Sequence, residues 1–410
     1  MAPKRTKGAS RRSAVSGGSA RRQGWQVDPR QALRVGADIH LASVDQASTP
    51  GWTGGEEEAI AYTSSITPLL ASLQERLFAA ATDGSTRRVL VVAQGLDTAG
   101  KGGLARHVMG LVDPQGVRLT AFKAPTVEER SHDFLWRIRA AVPPAGIIGF
   151  FDRSHYEDVL VPAVNGELSE ASLAARIEQI HDFERELIDS GTALIKVALM
   201  VSYDEQGLRL LERVDRPDKH WKYAASDMDT REKWFDYHAV YQRMLRATSF
   251  EEAPWYVVPA DRKWYARLAV TELVLRTLAE LEISWPEAHF DVEAERARVR
   301  ATISAGALAR YDERLASRLD RVAGRIAAVD DAARSLSADE AAGNGNGSGN
   351  GKVDGNGSGN GKVRGTPGGS TARSTARSTV GSTSGGAGRR EEEQAGRAEE
   401  TSTGTEERAG

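Results

Sequence analysis

Across residues 31–287 the chain alternates short, unbroken apolar runs with longer stretches in which apolar residues return every three or four positions. The runs at 88–93 (RVLVVA), 117–122, 146–151 (GIIGFF), 194–201 (LIKVALMV) and 255–259 have the length and side-chain types of buried strands. Helical spacing fills the gaps at 56–81, 103–112, 127–141, 169–190, 205–213, 231–247 and 265–282. A strand that is apolar on both faces needs cover on both, and strands separated by helices return parallel. The pattern predicts a three-layer α/β fold, with one mostly parallel sheet between helices, in a single domain of about 250 residues.

The flanks break this rhythm. Residues 288–340 are rich in Ala, Arg, Asp and Glu, and Val299, Ile303, Leu308, Leu315, Leu319, Val322 and Ile326 recur at helical spacing. One or two appended helices are expected there, packed on the body or on another subunit. From Ala341 onward Leu, Ile, Met, Phe, Tyr and Trp are missing, 19 of the 41 glycines occur, and GNGSGNGKV is written twice, at 345–353 and 355–363. Such a segment buries too little apolar surface to offset its ordering entropy, so 341–410 is expected to be a disordered, solvated tail.

Charge divides along the same boundaries. Residues 1–30 carry eight Lys and Arg against Asp28 alone, a net +7, and 341–410 carry nine against eight acids, a net +1. Removing both from the overall −3 leaves −11 for the body, which disfavours nucleic acid as a partner of the core. The basic arm is expected to be a solvated tail. No apolar run approaches the ~18–20 residues of a membrane span, and the N-terminus has no apolar stretch of a secretory signal behind its basic residues. With no cysteine in 410 residues, disulfides, thiolate metal sites and cysteine nucleophiles are excluded, and a cytoplasmic location is expected.

The chemistry begins directly after the first strand, at Gly95-Leu96-Asp97-Thr98-Ala99-Gly100-Lys101-Gly102-Gly103. Gly95, four residues, Gly100 and Lys101 have the spacing of a phosphate-binding loop. Its glycines let backbone N–H groups wrap a phosphate, its lysine neutralises it, and the next helix begins there. A structural glycine turn is the bland alternative. The Ser or Thr that normally follows the lysine and ligates magnesium is replaced by Gly102, which leaves Asp97 as the nearest carboxylate for a metal. Asp152 ends the third strand with Arg153 beside it, where a magnesium-orienting carboxylate and a phosphate-binding guanidinium belong. His155 is explained as well by packing as by catalysis. Arg209, Arg213, Arg216, Lys219 and Lys222, interleaved with Trp221 and Tyr223, form a cationic stretch able to close over phosphates, or else a solvated helix and loop.

The segments GLDTAGKGG, FKAPT (122–126), HDFLWR (132–137), FDRSHYEDVLVP (151–162), DKHWKY (218–223) and APWYVVPADRKWYARLAV (253–270) resemble, in order, the motifs of the polyphosphate kinase 2 family. The resemblance covers residues 30–287. It implies a P-loop kinase fold related to thymidylate kinase, with a mobile helical lid at about 204–246, and magnesium-dependent phosphoryl transfer between inorganic polyphosphate and a nucleotide, manganese being the alternative ion. By motif, Asp97 and Asp152 would hold the metal. Lys101 and the amides of Gly95, Thr98, Ala99, Gly100, Gly102 and Gly103 would bind phosphates, Arg153 would stabilise their charge, and Lys123, Arg137, Arg213, Lys219 and Lys222 would contact polyphosphate or nucleotide.

The Ser-His-Tyr-Glu-Asp run resembles the branch that phosphorylates AMP, or both AMP and ADP, to give ADP and ATP. Asp152 and Pro162 depart from that branch, whose members often have Asn and Val there, and the added negative charge would tighten magnesium. Dimers or tetramers are implied. Two rival readings are an ATP-dependent nucleoside monophosphate kinase and a non-catalytic polyphosphate- or nucleic-acid-binding protein.

Overall fold

A computed structural model of the protein describes residues 24–344. The expected arm and tail therefore lie outside the described residues, apart from residues 24–30 and 341–344. The five apolar runs form five strands, β1 (Arg88–Gln94), β2 (Val117–Ala121), β3 (Ile148–Asp152), β4 (Thr192–Met200) and β5 (Trp255–Pro259). They make one sheet in the order β2-β3-β1-β4-β5, and every pairing is parallel. Successive side chains of a strand point to opposite faces. Accordingly Val89, Val91 and Ala93 enter one core cluster while Leu90 and Val92 enter the other.

Ten helices of note connect and follow these strands: α1 (Glu56–Ala81), α2 (Lys101–His107), α3 (Trp136–Ala141), α4 (Glu157–Val164), α5 (Glu170–Asp189), α6 (Tyr203–Asp215), α7 (Trp234–Thr248), α8 (Lys263–Glu280), α9 (Val292–Arg300) and α10 (Ala305–Asn344). Leu70, Leu73 and Leu77 of α1 and most of α8 cover the first face. Val159 and Leu160 of α4, Ile180, Phe183 and Leu187 of α5, and Tyr241, Met244 and Leu245 of α7 cover the second. Helix α8 is buried nearly all round, and its buried charges Glu272 and Arg276 pair with each other at 2.9 Å.

The structure differs from the sequence pattern at several places. Residues 24–30, expected within the solvated arm, hold a strand at Gly24–Trp25 and the start of a helix at Pro29–Leu33, fixed by the pairing of Asp28 with Arg30 at 2.9 Å, and 341–344, expected within the tail, continue the last helix. The helix expected over 127–141 is two short pieces. The Thr126 hydroxyl accepts from the Glu129 N–H at 3.1 Å and caps a turn ending at Arg130, and a second turn, in which Asp133 Oδ1 accepts from the Leu135 N–H at 2.9 Å, separates it from α3. The helix expected over 231–247 is preceded by a separate one, Ser226–Glu232, and interrupted at Lys233. Helix α4 was not foreseen, since eight residues containing Pro162 show too little periodicity to register. The appended segment forms α9 and the 40-residue α10. No helix among the described residues is long and apolar enough to cross a membrane.

Candidate active site

From β1 the chain crosses to β2 on one side, and from β3 it crosses over β1 to β4 on the other, so the carboxyl ends of β1 and β3 flank the point where the winding reverses. Open α/β sheets bind ligands in the crevice outside such a point. The loop 95–100 leaves β1 there, and Asp152 and Arg153 end β3 there. A Cβ on Gly95 would come within 2.8 Å of the Leu199 carbonyl oxygen, so only glycine lets the loop turn this tightly against β4. At Gly100 φ is +116°, and a Cβ at Gly100, Gly102 or Gly103 would meet no atom within 4 Å, which leaves that backbone open to the cleft. Thr98 and Arg153 also hold left-handed backbone, with φ of 67° and 66°; strain of this kind at non-glycine residues gathers at functional sites.

Lys101 is buried beneath the loop and donates to the carbonyls of Gly95 at 2.6 Å and Leu96 at 3.3 Å. It forms no ion pair among the described residues. Burial, and then the Arg153 guanidinium, push its ammonium below the ordinary lysine value against the pull of Asp152, Asp97 and Glu157. Arg153 donates to Asp97 at 2.7 Å and to Glu157 at 3.4 Å. Burial raises the Glu157 carboxyl, with Arg153 and Lys101 acting against it. Arg209 is a clamp: it donates to the carbonyls of Thr98 at 2.9 Å, Ala260 at 2.6 Å and Asp261 at 2.9 Å, tying the loop to the end of β5.

The cleft over this loop has a volume of about 740 Å³, and the segment α6 to α7 forms its far wall. Nine Lys and Arg side chains line it against four acids, so its field favours a polyanion. Of the sequence-predicted residues it brings together Asp97, Thr98, Ala99, Gly100, Lys101, Gly102, Gly103, Asp152, Arg153, Arg213, Lys219 and Lys222. Three of these cations are already paired, Arg153 with Asp97 at 2.7 Å, Arg213 with Asp227 at 3.1 Å and Lys219 with Glu212 at 2.5 Å, whereas Lys222 lies 4.9 Å over the Trp221 ring. Gly95 sits under the loop. Lys123 and Arg137 do not line the cleft; they stand together on the β2 side, where Arg137 donates to the Lys123 carbonyl at 2.8 Å and pairs with Asp158 at 3.4 Å. Sequence reasoning missed Arg106, His107, Lys263 and Arg267 in the lining. The last two, one turn apart at the start of an otherwise apolar helix after the final strand, were the available signal.

Behind the cleft is a second polar cluster, wholly buried. Lys196 of β4 donates to Glu184 at 2.6 Å and to the Thr248 carbonyl at 2.6 Å. Glu184 also accepts from the Tyr156 hydroxyl at 2.7 Å, and the His155 ring is 3.4 Å away. Burial alone would raise the Glu184 carboxyl, but Lys196 and His155 outweigh it and hold it below the ordinary glutamate value. His155 is thus part of the interior, as the packing reading allowed, and does not reach the cleft.

The donor set suits a magnesium ion that also uses substrate oxygens. Among the described residues no group of three or more His, Cys, Asp or Glu could hold a metal by itself. Magnesium typically takes one or two carboxylates and completes its shell with phosphates and water. Asp97 and Asp152 offer two, the Asp152 carboxylate accepts no hydrogen bond from the described residues although its backbone carbonyl accepts from the Phe122 N–H, and the Thr98 hydroxyl is buried without a partner.

Residues 58–285, more than half of the chain, match the family model described as polyphosphate kinase 2. The chain belongs to the polyphosphate kinase 2 family. It is therefore a polyphosphate-dependent nucleotide phosphotransferase. It is 39% identical over 249 residues, 61% of this chain and 92% of the relative, to the AMP/ADP-polyphosphate phosphotransferase of Meiothermus ruber. It is 39% identical over 230 residues, 53% and 78% of the two chains, to the ADP-polyphosphate phosphotransferase of Rhodopseudomonas palustris. The crystal structure of polyphosphate kinase 2 from Arthrobacter aurescens TC1 superposes with a TM-score of 0.66 at 51% identity, covering 68% of this chain and 98% of that one.

Proposed function

We propose that the protein catalyses magnesium-dependent transfer of the terminal phosphoryl group of inorganic polyphosphate to AMP and ADP, forming ADP and ATP. The observation that carries this reading is the convergence of Asp97, Lys101, Asp152 and Arg153 on one cleft whose lining is cationic nine to four. The names of the Meiothermus and Rhodopseudomonas relatives support the acceptors. The catalytic body is residues 31–287, and 204–246 is the lid.

Phosphoryl transfer needs positioning and charge stabilisation more than covalent help, and a nucleotide phosphate is already ionised at neutral pH, so no general base is required. Lys101 and the open amides of Gly100 and Gly102 bind the transferring phosphoryl group, the Gly103 N–H being taken by the Gly100 carbonyl at 2.8 Å. A phosphate chain in the cleft offsets the repulsion between Arg153 and Lys101 and draws both cations to its oxygens. Arg153 then exchanges Asp97 for phosphate, which releases the Asp97 carboxylate. Asp97 and Asp152 would hold magnesium, which when bound neutralises phosphate charge and orients the chain. Lys219 and Lys222 on the lid, with Arg213 behind them, close on the substrates and exclude water.

Steady-state rates with long-chain polyphosphate as donor and AMP, ADP, GMP or GDP as sole acceptor test this. AMP and ADP are expected to have the highest kcat/KM, each within about tenfold of the other and at least roughly tenfold above the guanine nucleotides. A guanine nucleotide as best acceptor would overturn the assignment, as would AMP phosphorylation supported by ATP but not by polyphosphate.

A further inference from the structure

Helix α10 leaves the body partway along its length. Its C-terminal part docks: Val329 is buried, Ala333 and Leu336 pack on the first core cluster, and Asp330 pairs with Arg76 of α1 at 2.6 Å. From residue 316 to 328 every position is exposed, so this stretch stands in solvent on all sides. Arg76 is close to the end of α1 that leads into the start of β1, so the free arm is rooted at the opposite end of the sheet from the cleft.

The arm has a sorted surface. At 3.6 residues per turn, Arg310, Arg314, Arg318, Arg321 and Arg325 fall within about 80° of the helix circumference and follow one another for about 22 Å, roughly one per turn. None of the five forms an ion pair among the described residues, although other arginines here do, such as Arg300 with Asp312 at 2.7 Å. Arg310, Arg314 and Arg318 line a shallow groove of about 520 Å³. The acids of the arm, Asp312, Glu313 and Asp320, lie on other faces. A row of unpaired guanidiniums matches a linear polyanion, since each fork binds phosphate oxygens bidentately.

We propose that this arginine row is a second, non-catalytic binding site for inorganic polyphosphate, which anchors long chains while their ends are processed in the cleft. The proposal rests on polyphosphate being the donor. Two competing polyanionic surfaces fit less well. The basic sector flanks only one side of the apolar stripe and the acids flank the other, so a helix lying flat on an anionic membrane would turn carboxylates towards its headgroups. A nucleic-acid duplex is much wider than the row and would bring phosphates against Glu313 and Asp320 as well, whereas a single phosphate chain can follow the row alone.

The test uses the full chain with Arg314→Gln, Arg318→Gln and Arg321→Gln combined, positions that are all exposed and outside the cleft. With ADP as acceptor, KM for long-chain polyphosphate is expected to rise roughly tenfold and to depend less steeply on salt, while kcat and the KM for tripolyphosphate stay unchanged. The matching triple Arg→Lys variant should retain most of the wild-type KM. An unchanged KM for the long chain in the glutamine variant would overturn the proposal, as would an equal rise in both KM values. If neither donor supported turnover, the proposed function would fail separately. Direct binding of labelled long-chain polyphosphate would then decide, with loss in the glutamine variant supporting the site and equal binding contradicting it. Wild-type protein that bound anionic vesicles or duplex DNA through these arginines more tightly than polyphosphate would also contradict it.

Discussion

Two buried lysines belong to this sheet, Lys196 midway along β4 and Lys101 beyond the carboxyl end of β1, and their partners set them apart. Lys196 meets a carboxylate, Glu184, at 2.6 Å, and its charge is neutralised within the protein. Lys101 donates only to carbonyl oxygens and forms no ion pair among the described residues, and of the carboxylates that act on it from a distance Asp97 is paired with Arg153. A buried ion pair that satisfies itself holds structure together, and removing one partner leaves a charge stranded in low dielectric. A buried ammonium without an anion is a cost to the free protein that an incoming phosphate relieves. The contrast separates the scaffold from the binding site without reference to any relative.

That contrast is sharpest in mutants. Lys101→Ala is expected to lower kcat by roughly a thousandfold or more, since one preorganised cation at the transferring phosphoryl group contributes several kcal/mol, while Tm stays level or rises. Parallel kinetics and calorimetry check both halves. Glu184→Gln is expected to do the reverse, costing about 3–5 kcal/mol of stability by stranding Lys196 while folded protein keeps kcat within about tenfold; urea unfolding followed by assays below the midpoint measures this. Asp97→Asn should raise the magnesium concentration for half-maximal rate by roughly tenfold, read from a metal titration at saturating substrates.

The smallest effect is a pH slope. Burial against Trp234 pushes His238 of α7 down to about 4. Its folded value lies below the unfolded value of 6.5, so between 6.5 and about 4 the unfolded chain binds more protons and stability falls as pH falls. Allowing for its partial exposure, the loss is about 1 kcal/mol across that window. His238→Gln should flatten this part of the stability-pH curve in chemical denaturation; an unchanged slope would assign it to other groups.

Four strands of the sheet were legible because they are buried on both faces and so read as apolar runs, whereas the edge strand β2, VRLTA, is largely exposed and showed only by its β-branched residues and its place between helical stretches. The loop was legible because close approach to Leu199 at Gly95 and open backbone at Gly100 both demand glycine at fixed spacing. What escaped depends on long-range pairing. Lys196 lies inside an apolar run, and nothing local reveals that Glu184 waits on the neighbouring helix. Lys263 and Arg267 enter the cleft only because α8 begins beside the loop. Lys123 and Arg137, grouped by motif with the phosphate-binding cations, stand on the β2 side because Arg137 bonds the Lys123 carbonyl and Asp158. The split of 127–141 needed the Thr126 cap and the turn at Asp133 to be weighed against one helical period.

The most direct test of the central claim is phosphorus NMR of wild-type and Lys101→Ala protein with magnesium, long-chain polyphosphate and ADP. Wild-type protein should convert chain phosphates into the γ-phosphate of ATP, and Lys101→Ala protein with an unchanged unfolding temperature should convert almost none. Comparable conversion by both would show that the cleft built around Lys101 is not where the phosphoryl group is transferred.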